Sequence, residues 1–412
     1  MGPKWRPVTG SGIIAAMPLL SDPDRPFALS LATAVVGRTF LNTARRFPYT
    51  YAAVLARGLG VDLETIAALI AVSQGASLLA PVLGPLADRW GHRPAMLAGL
   101  LLLLGMLPVG LHPSPATLLV AVVLASVGKV LFDPAVQAWV GERVTLARRG
   151  LAIGAGEVCW SASTLVGVPL VGMLIEGFGW RAPFVVLGLL GLGGAVLVAW
   201  GMPRQRPGEA APRPGVREAW GLLLREPAVR GALGFGLLVG LANDALFVVY
   251  GAWLETSFGL GVVALGAATV VIGAAELVGE GFSALAADRM GLRRAALVGC
   301  IGCTAAYAAL PWCGSGLTLS LAGLFGVFLA FEFTIVTSFS LFNDVVPRAR
   351  ATFLSGYFAA LGLGRMVGVL VGGLLWPIGG LAAVMAGCAA ASAAAVGCLL
   401  WTGYRRGLRP GT

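Results

Sequence analysis

Apolar residues run along this chain in stretches of about 20, separated by short polar gaps. "AMLAGLLLLLGMLPVGL" at 95–111 is typical, and it shows no alternation of polar and apolar positions. A helix of that length crosses a bilayer, whereas a lipid-facing barrel strand alternates with period two. The pattern predicts twelve helical spans, near 27–55, 61–87, 94–112, 115–140, 147–176 and 181–202, then 227–257, 261–287, 294–313, 316–344, 350–376 and 379–404. Helix breakers mark the gaps, as in "HPSP" at 112–115, "GFGW" at 177–180, "CGSG" at 313–316 and "WPIGG" at 376–380. The longest gap, 203–226, is rich in Pro, Gly and Arg and reads as a flexible linker between six-helix bundles at 27–202 and 227–404. Residues 1–26 and 405–412 read as tails.

Composition gives the same class. The chain has 412 residues, 58% hydrophobic and 12% charged. A soluble domain averages about 45–50% apolar and about 25% charged residues. The predicted class is therefore an all-α polytopic membrane protein with the lipid bilayer as its solvent. The formal charge of +10 could suit nucleic acid, but the basic residues form no single patch. They fall in alternate gaps: Arg89 and Arg93, then Arg143, Arg148 and Arg149, then Arg204 to Arg225, then Arg289, Arg293 and Arg294, then Arg348 and Arg350. The opposite gaps hold little beyond Arg57 and Arg181. That bias places both termini in the cytoplasm of a plasma membrane protein and argues against a nucleic-acid partner. Cys300 and Cys303 form a C-x-x-C inside an apolar run, which reads as helix packing. The chain has only two histidines and shows no zinc-protease, nucleophile-elbow or phosphate-loop motif. No enzyme chemistry, cofactor or metal is expected.

The two halves repeat. "YAAVLARGLGV" at 51–61 matches "YGAWLETSFGL" at 250–260, "GPLADRWGHRP" at 84–94 matches "ALAADRMGLRR" at 284–294, and "GERVTLARR" at 141–149 matches "NDVVPRARA" at 343–351, all at offsets of 199–202. Parallel repeats of this kind are a transporter design. The chain resembles the major facilitator superfamily. The resemblance rests on the G-x-x-x-D-R-x-G pattern of Gly84, Asp88, Arg89 and Gly91, on its weaker copy around Asp288, on the six-plus-six layout and on "GWRAPF" at 179–184. It implies a cytoplasmic latch in which Asp88 meets the start of the eleventh span near Arg350, while basic residues face Glu142. His92 stands where the family has Arg, so Arg93 is the candidate for that charge. The resemblance also brings in a helix-5 pattern linked to antiport. Gly167, Pro169 and Gly172 keep part of it, which tilts the expected direction slightly to export.

Ionisable side chains within spans are costly and point to function by default. Arg38, Asn42 and Arg45 share one face of the first span at i, i+4 and i+7. The seventh span carries Asn243 and Asp244, and Asp244 precedes Tyr250 by six residues, as Arg45 precedes Tyr51. In the family these two helices face each other across the central cavity. Arg38, Asn42, Arg45, Asn243, Asp244 and Arg365 are therefore the substrate-site candidates, with Arg45 and Asp244 expected to pair in one conformation. Glu276 and Glu280 in the eighth span, Glu332 in the tenth and Glu157 in the fifth join Asp244 as proton-coupling candidates. Lys129 and Asp133 lie at i and i+4 and read as mutual neutralisation. The expected function is secondary transport of a small organic solute by alternating access, coupled to protons, with the protein a monomer. A sensor on the same fold, or a proton-independent facilitator, is the competing reading.

Overall fold

The computed structural model describes residues 25–80, 83, 91–143, 159–203, 225–342 and 350–401. The linker expected at 203–226 lies almost wholly outside them, as do both tails. Helix α1, Arg25–Thr50, turns at Tyr51 and continues through Ala52–Leu59. Pro48 sits inside it and removes one backbone donor just before the turn. Helix α2, Leu63–Gln74, tightens into a 3-10 turn at Gly75–Leu79. Asp62 caps α2 by accepting from the Thr65 backbone N–H at 2.7 Å. Then come α3 (His92–Leu111), α4 (Pro115–Arg143), α5 (Cys159–Phe178) and α6 (Ala182–Gly201).

The second half holds α7 (Pro227–Phe258), α8 (Val262–Met290), α9 (Leu292–Ala309) and α10 (Leu317–Phe342). The last helical run, Arg350–Trp401, breaks at Gly379 and Gly380, giving α11 (350–378) and α12 (381–401). Among the described residues nine helical runs are long and apolar enough to cross a membrane. The count reaches twelve because α11 and α12 share one run, α1 (Arg25–Thr50) carries four arginines, and α2 with its 3-10 turn is a shorter apolar helix.

Among the described residues six glycines have positive φ, and they form three pairs: Gly60 with Gly259, Gly91 with Gly291, and Gly179 with Gly380. Their spacings of 199, 200 and 201 residues are those of the sequence repeat. Left-handed backbone is cheap only for glycine, so the repeat fixes the same turns in both halves.

The halves meet along α1 and α7, α2 and α11, and α5 and α8. On the face that carries the turns at Gly60, Gly179 and Gly259, the Thr50 hydroxyl lies 2.6 Å from the Tyr250 hydroxyl, which is also 3.1 Å from Thr269 Oγ1. Arg57 and Glu255 close the same face at 2.7 Å. Within the second half, Gly364, Gly368 and Gly372 on α11 stack one turn apart against the carbonyls of Leu237, Leu241 and Ala245 on α7. A Cβ on any of the three would collide with that backbone, so the two helices touch as closely as helices can.

Candidate functional site

The arginines of α1 divide by direction. Arg38 Nε bonds Asp133 Oδ1 at 2.9 Å, and Lys129 Nζ bonds the other Asp133 oxygen at 2.7 Å. Lys129 also donates to Asn42 Oδ1 at 2.6 Å, while Asn42 Nδ2 reaches the Cys159 carbonyl at 3.2 Å. All of these groups belong to the first half. Arg38 and Asn42 are thus committed to a buried network, and the structure does not bring them to the central cavity.

Arg45 and Arg46 do reach it. Arg45 donates to Gln74 Oε1 at 2.6 Å and to Ser126 Oγ at 3.2 Å. Arg46 crosses to the second half and grips Glu276 with both terminal nitrogens, at 2.9 and 2.5 Å. A planar guanidinium suits a carboxylate in this two-pronged way. Trp160 lies under Arg46, with the guanidinium carbon 3.9 Å from the ring centroid. Thr164 Oγ1 adds a bond to Glu276 at 3.1 Å.

Thr164 sits in a π-helical turn at Ser163–Gly167 of α5. Pro169 explains the turn: it cannot donate, and its ring crowds the carbonyl of Leu165. Such turns re-aim side chains and are frequent at functional sites. Gly167 packs on Thr43 and Gly172 on the Tyr51 hydroxyl, so the residues of the helix-5 pattern hold α5 against α1.

Opposite Arg46, Asp244 is buried on α7 and accepts from the Tyr49 hydroxyl at 2.8 Å. Its other oxygen lies 3.7 Å from Arg365 Nε and 3.2 Å from Asn243 Nδ2. The close seating of α11 on α7 is what brings Arg365 to Asp244. The expected Arg45–Asp244 pair is therefore not formed here, although both residues line the cavity. Phe247, Phe328 and Phe331 supply its apolar wall. The free interior is about 30 Å³, space for no more than a couple of waters. This conformation is closed around its own polar groups.

The remaining candidates fall elsewhere. Glu280 lies 3.5 Å from Ser161 Oγ, and Glu332 is buried on α10 against Gly279; neither lines the cavity. Glu157 lies outside the described residues, as do Gly84, Asp88 and Arg89, and so do the side chains of Glu142, Asp288 and Arg350. Gly91 starts α3 with φ of 89°. Arg93 donates to the Ala199 carbonyl near the end of α6, where a cation suits the exposed carbonyls. It meets no carboxylate among the described residues. Arg46, Tyr49 and Gln74 complete the cavity, and sequence pattern does not single them out. The one signal for Arg46 is that it is the second of two adjacent arginines inside an apolar span.

A model of the Major Facilitator Superfamily matches residues 27–357. The chain belongs to the major facilitator superfamily. The MFS-type transporter YceJ of Bacillus subtilis is 28% identical over 307 residues, covering 74% of this chain and 78% of that protein. An MFS-type efflux pump of Mycolicibacterium smegmatis is 27% identical over 366 residues, covering 82% of this chain and 83% of that protein. The crystal structure of a bacterial homologue of the human lysosomal transporter Spinster, inward-facing and unoccupied, superposes with a TM-score of 0.72 over 93% of this chain and 96% of that one, at 17% identity. The family and fold are those of membrane transporters, not enzymes.

Proposed function

We propose that this member of the superfamily is a secondary active transporter that moves a small organic solute by alternating access and is driven by protons. The observation that carries the proposal is the Arg46–Glu276 pair, a two-pronged ion pair joining opposite halves at the cavity. Separation of the halves must break it. A proton on Glu276 can then take the place of the guanidinium charge, which links protonation to conformation. Asp244 is a second candidate for the same role, since Tyr49 joins it to the first half. Export is the favoured direction, supported by the partial helix-5 pattern and by the likeness to an efflux pump. The Lys and Arg bias between spans supports a cell-membrane location with both termini in the cytoplasm. Asp88, Arg89 and Arg350 are proposed as the cytoplasmic latch on the family resemblance alone.

The test is solute-dependent proton movement in proteoliposomes carrying a pH-sensitive dye. The wild type should accumulate solute when a pH gradient is imposed. Glu276→Gln and Asp244→Asn should lose accumulation while solute counterflow survives in at least one of them. Wild-type flux that ignores the gradient would remove proton coupling from the proposal.

A further inference from the structure

We propose that the cavity takes an amphipathic organic acid: a single carboxylate on a flat apolar body that also carries a hydrogen-bond donor. This rests on the reading of the cavity as the substrate site. Three observations point to it.

The first is charge balance. Three guanidiniums line the cavity, those of Arg45, Arg46 and Arg365, against two carboxylates, those of Asp244 and Glu276. Each carboxylate is already matched. Glu276 holds Arg46 through two bonds, and Asp244 has Tyr49 on one oxygen and Arg365 near the other. Arg45 hydrogen-bonds the neutral Gln74 and Ser126, and among the described residues no carboxylate pairs with it directly, Asp133 and Asp244 acting on it only from a distance. An unbalanced cation within a bilayer is costly, and an anion entering the cavity would neutralise it. A cationic solute would have to displace Arg46 or Arg365 from its acid and would leave that guanidinium unmatched.

The second observation is a pair of unused polar atoms. Asn243 is 7% exposed, and its Oδ1 has no donor among the described residues. Its amide orientation is fixed, because Nδ2 donates to Asp244. Arg365 Nε likewise has no hydrogen-bond acceptor among the described residues. A solute hydroxyl or amide N–H would satisfy Asn243, since a buried acceptor left without a donor is a standing cost. The third observation is the wall. Trp160, Phe247 and Phe328 face the same space, with Phe247 and Phe328 edge to face at 5.6 Å. They supply apolar surface for a flat body. The closed interior admits no such molecule, so the acid enters when the halves separate and the Arg46–Glu276 pair opens.

Equilibrium binding to the purified full chain in detergent, by calorimetry and with no ion gradient, tests this. The probes are 3-(4-hydroxyphenyl)propanoate, 3-phenylpropanoate and 4-(3-aminopropyl)phenol. The hydroxylated acid should bind most tightly, the plain acid about fivefold more weakly, and the amine at least tenfold more weakly than either. Arg45→Gln should weaken both acids about tenfold or more, and Arg45→Lys should restore part of the loss. Asn243→Ala should reduce the roughly fivefold preference for the hydroxylated acid over 3-phenylpropanoate to less than about twofold. Unaltered melting temperatures would show that the variants fold. The proposal is overturned if the amine binds as tightly as the acids, if Arg45→Gln leaves acid binding intact, or if no probe binds at millimolar concentration. Wild-type binding of the acids together with flux that ignores the pH gradient would instead count against proton coupling.

Discussion

Two buried guanidinium–carboxylate systems sit two turns apart on α1, and they differ in what they join. Arg38, Asp133 and Lys129 lie within the first six helices. Arg46 and Glu276 lie on opposite halves. The chemistry is nearly the same, but the mechanical consequence is opposite. When two bundles rock against each other, a pair inside one bundle moves as a unit, while a pair between bundles must break and re-form. The inner network therefore holds α1 to α4, and the crossing pair is the one proposed to bias the choice between conformations. Burial alone would not separate these roles; topology does.

The largest effect on stability is expected inside the first bundle. Asp133→Asn removes the carboxylate that both Arg38 and Lys129 bond and should cost about 3–5 kcal/mol. The melting temperature and the yield of folded protein should fall, while flux per folded molecule stays near wild type. A selective loss of flux with normal melting would erase the distinction drawn above. Next comes the crossing pair. Glu276→Gln keeps hydrogen-bonding atoms beside Arg46, so the thermal loss should be smaller, but gradient-driven accumulation should fall at least about tenfold. Adding Arg46→Gln should be non-additive by more than about 1 kcal/mol in a double-mutant cycle on stability.

A finer probe is Thr164→Val, which removes one bond to Glu276 across the α5–α8 contact. It should cost about 1 kcal/mol and lower flux a few-fold. The smallest effect belongs to Arg57 and Glu255, which also cross between the halves but at the surface, with the Arg57 side chain 59% exposed. Arg57→Gln should change stability by less than about 1 kcal/mol, and high salt should abolish the difference.

Much of this architecture is legible in the sequence, because lipid imposes simple rules. Span lengths, the breakers between them and the repeat all follow from helix geometry and backbone sterics. The glycines of the three matched turns stand at equivalent positions of the two halves in the sequence itself. Asp244 is legible because the repeat sets it against α1. Its partners are not, for two reasons. Helical spacing groups Arg45 with Arg38 and Asn42, and so hides Arg46, whose side chain points about 100° away around the helix. The contact of Asp244 with Arg365 depends on three glycines of α11 that let it settle on α7. Such proximity is a property of packing, and no single span encodes it. The Lys129–Asp133 neutralisation is legible because both residues lie one turn apart on α4.

The central claim is that the halves separate and close with the Arg46–Glu276 pair as the bias. Spin labels report this directly. They can be placed on the turn face at Glu64→Cys of α2 and Val263→Cys of α8, both exposed, with the partly exposed Cys313 and Cys398 replaced by alanine. Electron–electron distance measurements in lipid should give two populations for the parent chain, one short and one longer. Adding Glu276→Gln should shift weight strongly to the longer distance, because the closed state loses its crossing pair. A single distance that Glu276→Gln leaves unchanged would contradict the account.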